Sequence, residues 1–149
     1  MKLLYGYPEG VASWVAERIP HVGPRGFSGP VEAIGIATEE ELVAGVVYHD
    51  YQPACGTMQL SMAAVSPRWA TRGNISVLLA YPFDAVKVNK LWTATPSTNA
   101  RALRFNKGIG FKPEGTLRHQ FGPGVHAIIS SIMAKEWHKM PWRSPDGQE

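Results

Sequence analysis

Cysteine is almost absent from this chain of 149 residues, which has only Cys55. A single cysteine cannot close a disulfide within the chain or build a zinc site from thiolates. Charged residues are also few, at 18%, while 44% are hydrophobic, which excludes a disordered chain and indicates one compact domain. No apolar run approaches about 18 residues, and the first residues lack the pattern of a secretory signal. We therefore expect a soluble cytoplasmic protein without membrane spans.

The charges are unevenly divided along the chain. Residues 1–60 contain three basic and seven acidic residues, a net charge of −4. Residues 61–149 contain twelve basic and five acidic residues, a net charge of +7. This asymmetry indicates an anionic partner for the second half, either a nucleic acid or a phosphorylated cofactor. A basic surface without a partner is the alternative interpretation.

Periodicity and turn residues predict strands and helices in a mixed order. Short apolar or alternating runs predict strands at 1–7, 31–38, 41–49, 57–65, 91–95, 111–121 and 126–137. Apolar residues at helical spacing predict helices at 11–19, 74–88 and 100–107, with Pro82 interrupting the second. This order predicts a single α/β (α+β) domain over residues 1–140, followed by a tail at 141–149.

Two loops in the basic half lead from a strand into a helix, at 65–74 and 95–100. Helix N-termini bind anions through their free amides and their dipole, so each loop is a predicted phosphate cradle. The second loop opens a run of residues that forms a pattern. Its residues are Asn99, Ala102, Phe105, Gly110, Phe111, Glu114, Gly115 and Arg118.

This run resembles the GNAT superfamily of acyl-coenzyme A N-acyltransferases. Its ending resembles the branch that acetylates ribosomal-protein N-termini, and small acetyltransferase-like proteins of phages. The resemblance implies a mixed central sheet of about six to seven strands, flanked by helices and splayed between the fourth and fifth strands. It also implies transfer of an acetyl group from acetyl-coenzyme A to a primary amine, by direct attack and without a covalent enzyme intermediate.

The resemblance assigns the pyrophosphate of coenzyme A to the loop Arg68–Gly73, in which Thr71 replaces the central glycine of the family pattern. We interpret Arg72 as supplying the contact that this replacement removes. A backbone amide at the end of the fourth strand, that of Ala63, Ala64 or Val65, is implied to polarise the thioester oxygen. The residues predicted to bind coenzyme A are Ala63, Ala64, Val65, Arg68, Thr71, Arg72, Gly73, Asn74, Asn99, Arg104 and Lys107.

The general acid of the implied reaction is left open. Asn106 stands where many members of the superfamily have a tyrosine that protonates the leaving thiolate. An amide cannot act as a general acid, although it can orient a water or donate a hydrogen bond to the sulfur. Tyr81 is the alternative source of a phenol.

The general base is also left open. His49 and Asp50 end the third predicted strand, near the expected entry of the acceptor, and are the leading candidates. Glu114 and His119 are alternatives. For Glu114 an ion pair with Arg118 is the favoured interpretation.

Two other functions compete with acyl transfer. Thr71 and Asn106 favour a non-catalytic domain that keeps the fold and binds coenzyme A or another ligand. A nucleic-acid binder is disfavoured because the basic residues are not interleaved with stacking aromatics. The acids Glu9, Glu17 and Glu32 favour a cationic acceptor, either a small molecule or a peptide. The histidines show no metal-ligand spacing, so no metal is expected, and a homodimer is left open as the assembly.

Overall fold

The fold is built around one seven-stranded sheet. The structure is a computed structural model that describes residues 1–143. Its strands are β1 (Lys2–Leu4), β2 (Glu32–Ala37), β3 (Leu42–Gln52), β4 (Thr57–Ala64), β5 (Lys90–Pro96), β6 (Lys112–Leu117) and β7 (Ala127–Met133). Its helices are α1 (Pro8–Glu17), α2 (Arg72–Ala80), α3 (Ala100–Ile109) and α4 (Ala134–Trp137). None of the helices in residues 1–143 is long and apolar enough to cross a membrane.

The strands follow the order β1-β2-β3-β4-β5-β7-β6 across the sheet. Among the strands of residues 1–143, only β4 and β5 run parallel, and every other neighbouring pair is antiparallel. The long connection between these two parallel strands contains α2, as a parallel crossover requires. The predicted fold class, a single domain with a mixed sheet flanked by helices, is confirmed.

Helix α1 lies unusually close to one face of the sheet. Gly35 on β2 and Gly45 on β3 are directly paired, and neither presents a side chain to the helix. A Cβ atom added at Gly45 would lie 2.7 Å from Cγ2 of Val15 and 3.0 Å from Cγ1 of Val11. The glycine pair therefore lets the buried Val11 and Val15 pack directly on the sheet backbone.

The larger core covers the opposite face of the sheet. It joins Tyr48, Leu60 and Leu91 from the strands with Leu79 of α2 and the fully buried Trp137 of α4. The Tyr48 hydroxyl donates a hydrogen bond of 2.6 Å to the carbonyl of Leu78. This core fixes α2 against the sheet and so fixes the loop that precedes it.

Pro82 interrupts the predicted helix 74–88, as expected. Helix α2 ends at Ala80 and continues into a π-helical turn, Tyr81–Val86, in which Pro82 is buried. A proline lacks the amide that an α-helical ladder requires at this point, so the ladder changes its spacing. Lys87 then ends the turn in the left-handed conformation, with φ of 66°.

Two strand predictions in the last third of the chain are wrong in extent. The strand predicted at 111–121 ends at Leu117, and the loop that follows bends at His119, where φ is +55°. The strand predicted at 126–137 is β7 followed by α4. The helix begins because the Glu136 carboxylate accepts a 2.9 Å hydrogen bond from the Met133 amide, a capping arrangement.

The first residues of the predicted tail contact the body of the domain. The Trp142 indole donates a hydrogen bond of 2.9 Å to the carbonyl of Ile109 at the end of α3. The carbonyl of Pro141 accepts a hydrogen bond of 2.7 Å from the Arg72 guanidinium at the start of α2. The segment therefore ties the two helices together, and residues 144–149 lie outside the described residues.

Candidate active site

Strands β4 and β5 separate after three residue pairs. Their parallel ladder joins Thr57 with Lys90 and ends at the pair of Gln59 and Trp92. Just beyond this point, the Thr93 hydroxyl donates a 2.9 Å hydrogen bond to the carbonyl of Leu60. A side chain thus replaces the backbone ladder at the point of separation. The splay predicted between the fourth and fifth strands is confirmed.

The register with β3 determines which amides of β4 face the opening. The Val65 amide donates a 2.9 Å hydrogen bond to the Val43 carbonyl, so it points toward β3. Antiparallel pairs alternate in hydrogen bonding, and Ala63, two residues earlier, points the same way. The amides of Met62 and Ala64 therefore point toward β5. Of the three amides predicted to polarise the thioester, only that of Ala64 faces the opening, and Met62 was missed.

The opening leads into a cavity of about 480 Å³, which we call the cleft. Its walls are the second half of β4 with the residues that follow it, the end of β5, the first turns of α3, and the residues after α1. The ionisable side chains among the described lining residues are Arg18, His21 and Arg101. Arg101 makes the α3 side of the cleft cationic, whereas on the α1 side the Arg18 guanidinium lies 3.7 Å from the Glu17 carboxylate. None of Glu9, Glu17 and Glu32 lines the cleft. The acidic residues that favoured a cationic acceptor therefore do not form the lining of the cleft.

Helix α3 supplies a polar wall of the cleft. Asn106 is buried at 8% exposure, and its side-chain amide donates a 3.0 Å hydrogen bond to the Thr95 hydroxyl. Asn99 caps the helix, because its side-chain oxygen accepts a 3.1 Å hydrogen bond from the Ala102 amide. All four residues line the cleft. Asn106 is thus fixed at the predicted position, with an amide already engaged by a neighbour.

The loop before α2 is closed by its own hydrogen bonds. The Thr71 hydroxyl accepts a 3.1 Å hydrogen bond from the Asn74 amide, and the Asn74 side chain donates one of 2.8 Å to the Trp69 carbonyl. The backbone of Thr71 is extended, with φ of −79°, so this position does not require glycine. Arg72 and Gly73 form the first turn, where amides have no intrahelical acceptor. The loop therefore keeps an anion-binding helix start despite the threonine.

None of the four predicted basic ligands lines the cleft. The Arg72 guanidinium is held by the Pro141 carbonyl and lies 5.7 Å from the centre of the Trp142 ring. Arg68, whose amide is hydrogen-bonded to the Ser66 hydroxyl, is exposed beside the α2 start. Arg104 and Lys107 are exposed on α3 and do not line the cleft. Their contact with coenzyme A stays a prediction.

His49 lies behind the cleft wall rather than on it. Its Nε2 atom is 2.8 Å from the Ser61 Oγ atom, and Ser61 lines the cleft. The Phe27 ring packs against the imidazole at a centroid distance of 4.7 Å. Burial lowers the pKa of His49 to about 4, against a smaller opposing effect of the Asp50 carboxylate. The imidazole is therefore neutral at physiological pH.

Asp50 is exposed at a bulge of β3, where φ is +51°. Its carboxylate accepts a 2.9 Å hydrogen bond from the Gln52 side chain. Asp50 does not line the cleft, so the two predicted bases differ in access: His49 reaches the cleft through Ser61, whereas Asp50 faces solvent.

The alternative acid and base residues lie elsewhere. Glu114 pairs with Lys90 at 2.8 Å, not with Arg118, and hydrogen bonds from Lys90 and Ser131 lower its pKa. His119 holds the β6–β7 loop, because its Nδ1 atom accepts a 2.8 Å hydrogen bond from the Gly124 amide. Tyr81 packs against Tyr48 at 4.8 Å on the other face of the sheet, and burial raises its pKa.

Besides Met62, further residues of the cleft were missed, among them Ser61, His21 and Thr95. Ser61 is on the same face of β4 as Gln59. Its hydrogen bond with His49, twelve residues earlier in the chain, depends on the register between β3 and β4. His21 stacks on the Phe121 ring at 3.8 Å, a contact between two distant loops. Thr95 alternates with Thr93 along β5, and this pair of buried hydroxyls is the one signal that the sequence offered. Within the described residues no group of His, Cys, Asp or Glu side chains is arranged to hold a metal ion.

Comparisons with known proteins found no match among protein-family models or curated proteins. Solved structures do match. A chimera of the spermidine N-acetyltransferase from Vibrio cholerae and hSSAT superposes with a TM-score of 0.72 at 13% identity, over 93% of this chain and 98% of that one. A mutant spermidine/spermine N-acetyltransferase from Vibrio cholerae gives 0.66 at 15% identity, over 74% and 71% of the two chains.

A protein from T. thermophilus that is assigned as an acetyltransferase gives a TM-score of 0.64 at 18% identity. The match covers 74% of this chain and 63% of that one. At such identities the likeness concerns the fold. Together with the split between β4 and β5 and the helix start after β4, it leads to one conclusion: the chain has the fold of the GNAT acetyltransferases.

Proposed function

We propose that the protein transfers an acyl group, in the first place acetyl, from acyl-coenzyme A to a primary amine. The observation that carries this proposal is the pair of β4 amides, Met62 and Ala64, that face the cleft without a strand partner. Unpaired amides fixed in a wedge are suited to bind carbonyl oxygens of an extended ligand. Coenzyme A has such an extended arm, with a phosphate group at one end and a thioester at the other.

The charges near the cleft support one orientation of coenzyme A. The phosphates would lie at the first turn of α2, beside Arg68 and Gly73, where amides and a cation converge. The arm would run between Ala64 and the wall formed by Asn99 and Asn106. The thioester oxygen would then meet a β4 amide, which stabilises the charge that develops when the amine attacks.

The departing thiolate needs little help from a general acid. A thiol of this kind has a pKa near that of free cysteine, about 8.5, so the anion leaves readily near neutral pH. Asn106 would hold Thr95 and the cleft wall in place rather than donate a proton. General acid catalysis contributes roughly 10²–10⁴-fold where it operates, so turnover without it is expected to be slow but not absent.

The test separates this function from its two competitors. Acetyl-coenzyme A is expected to raise the thermal midpoint whether the protein is a transferase or a non-catalytic coenzyme A-binding domain. Release of free thiol in the presence of a panel of amines, but not without amine, identifies the transferase. Binding of acetyl-coenzyme A without thiol release in the presence of any amine would favour the non-catalytic domain. Steeply salt-dependent binding to DNA with no response to acetyl-coenzyme A would favour the nucleic-acid binder.

The panel should include small amines and peptides with free N-termini. The fold neighbours named for spermidine acetylation make spermidine an informative member. The cationic lining by Arg18 and Arg101 leads us to expect that spermidine is a poorer acceptor than a monoamine. Equal or better turnover of spermidine would show that the acceptor binds outside this lining.

A further inference from the structure

Ser61 connects the cleft to a buried base. On β4 it faces the α1 side of the sheet, where its hydroxyl lines the cleft and meets His49 of the neighbouring strand. The 2.8 Å separation between Ser61 Oγ and His49 Nε2 is a short hydrogen bond in the range for efficient proton transfer. His49 itself does not line the cleft.

The surroundings of His49 keep its ring neutral, so it carries no extra proton before the reaction begins. Phe27 covers one side of the imidazole, and Ser61 occupies its Nε2 atom. Burial lowers the pKa of His49 to about 4, and the Asp50 carboxylate, which is next in the chain, offsets part of this effect. A hydroxyl between a cleft and a neutral imidazole can receive a proton on one side while it gives one up on the other.

We propose that Ser61 is a catalytic residue that passes the proton of the attacking amine to His49, an inference that rests on the proposed function. The nitrogen of the amine forms a bond to the thioester carbon, and the thiolate departs with the electron pair of the C–S bond. The nitrogen loses one proton to Ser61 Oγ as the serine gives its own to His49 Nε2. The serine ends neutral and the histidine becomes imidazolium, which returns the proton to solvent.

The experiment measures steady-state thiol release by four proteins: wild type, Ser61→Ala, His49→Gln and the double variant. Ser61→Ala is expected to lower kcat by about 10²-fold or more. His49→Gln is expected to cause a similar loss, and the double variant no further loss, because the two residues act as one unit. Ser61→Thr keeps a hydroxyl and is expected to restore most of the activity.

Two controls separate this role from a structural one. Gln59→Ala changes the adjacent residue on the same face of β4, outside the cleft, and is expected to keep kcat within about twofold of wild type. Acetyl-coenzyme A binding, measured by calorimetry, is expected to stay within about twofold for Ser61→Ala, so the loss appears in kcat and not in affinity.

The outcomes distinguish the two claims. Wild-type kcat in Ser61→Ala, or losses in Ser61→Ala and His49→Gln that multiply in the double variant, would overturn the relay while acyl transfer stands. A wild-type protein that binds acetyl-coenzyme A but releases no thiol with any amine would overturn both the proposed function and the relay.

Discussion

The two edges of β4 differ beyond Gln59, although they belong to one strand. Toward β3, the ladder continues from Gln59 to Ala64 without interruption, and Val65 extends it by one more hydrogen bond. Toward β5, the ladder stops at Gln59, and the rest of the strand faces the cleft. The comparison teaches that pairing with β3 holds the second half of β4 in the sheet after its pairing with β5 has ended.

The side chains on the two sides reflect this difference. On the closed side, the glycine pair of β2 and β3 lets Val11 and Val15 of α1 pack directly on the sheet backbone. On the open side, the hydroxyls of Thr93 and Thr95 and the amide of Asn106 fill the wedge with polar groups that are hydrogen-bonded to one another or to the backbone. Rigid apolar contact thus lies next to a polar opening, which is a suitable arrangement for a binding cleft.

The largest effect is expected on the closed side. Gly45→Val would place side-chain atoms within contact distance of Val15 and Val11, and overpacking of this kind costs about 2–3 kcal/mol of unfolding free energy. The matched control is Gly108→Ala on α3, where an added Cβ meets nothing within 4 Å and helix propensity improves. Urea unfolding of both variants tests this expectation. A Gly45→Val variant as stable as wild type would contradict the close approach of α1.

The second expectation concerns His49, which lies on β3 and contacts Ser61 of the neighbouring β4. Folding lowers its pKa from 6.5 to about 4, so the unfolded chain binds the proton more tightly. The stabilisation by neutral His49 is complete above pH 6.5 and is lost as the pH falls toward 4. Between pH 7.5 and 5.0 the loss is about 2 kcal/mol. His49→Gln should lack this component in urea unfolding, and an equal acid loss in both proteins would contradict it.

The third expectation separates two arginines at the open side. Arg68→Glu is expected to weaken acetyl-coenzyme A binding about tenfold or more, with an unchanged thermal midpoint, because Arg68 is exposed. Arg72→Glu should weaken binding and also lower the midpoint, because its guanidinium holds the Pro141 carbonyl. Arg118→Glu, an exposed reversal in the β6–β7 loop, is the control for net charge. If calorimetry shows unchanged affinity for both the Arg68 and the Arg72 variants, the phosphates of coenzyme A do not bind at this loop.

The smallest effect is expected at Asn106. Asn106→Ala removes the donor to the Thr95 hydroxyl, and loss of one buried hydrogen bond costs about 1 kcal/mol. The rate of thiol release is expected to change less than about tenfold, because an amide supplies no proton. Asn106→Tyr should raise the rate if the phenol fits the cleft. A dead Asn106→Ala variant that still binds acetyl-coenzyme A would show that the amide takes a direct part in the reaction.

The sequence predicts those parts of the molecule that depend on local patterns. The apolar runs at 31–38 and 41–49 indicated strands β2 and β3, and Pro82 indicated the break after α2. Helix α4 was missed because it follows β7 with no glycine or proline between them, and only the Glu136 cap marks the change. Apart from α4, the predicted order of strands and helices matches the structure.

The site depends on contacts that local patterns do not contain. The Ser61–His49 pair requires the register of β3 with β4, and the Arg72–Pro141 contact joins residues at opposite ends of the second half of the chain. The choice between Ala63 and Ala64 follows from which pairs of that ladder are hydrogen-bonded. A prediction from the family pattern could therefore place the cleft but not the atoms that face it.

Amide hydrogen exchange on β4, followed by NMR with and without saturating acetyl-coenzyme A, tests the central claim most directly. The amides of Ala63 and Val65 bond to β3 and are expected to exchange slowly in both states. The amides of Met62 and Ala64 face the cleft and are expected to exchange fast in the free protein and at least about tenfold more slowly in the complex. Unchanged exchange at Met62 and Ala64 with bound ligand would contradict the claim that the open edge of β4 binds coenzyme A.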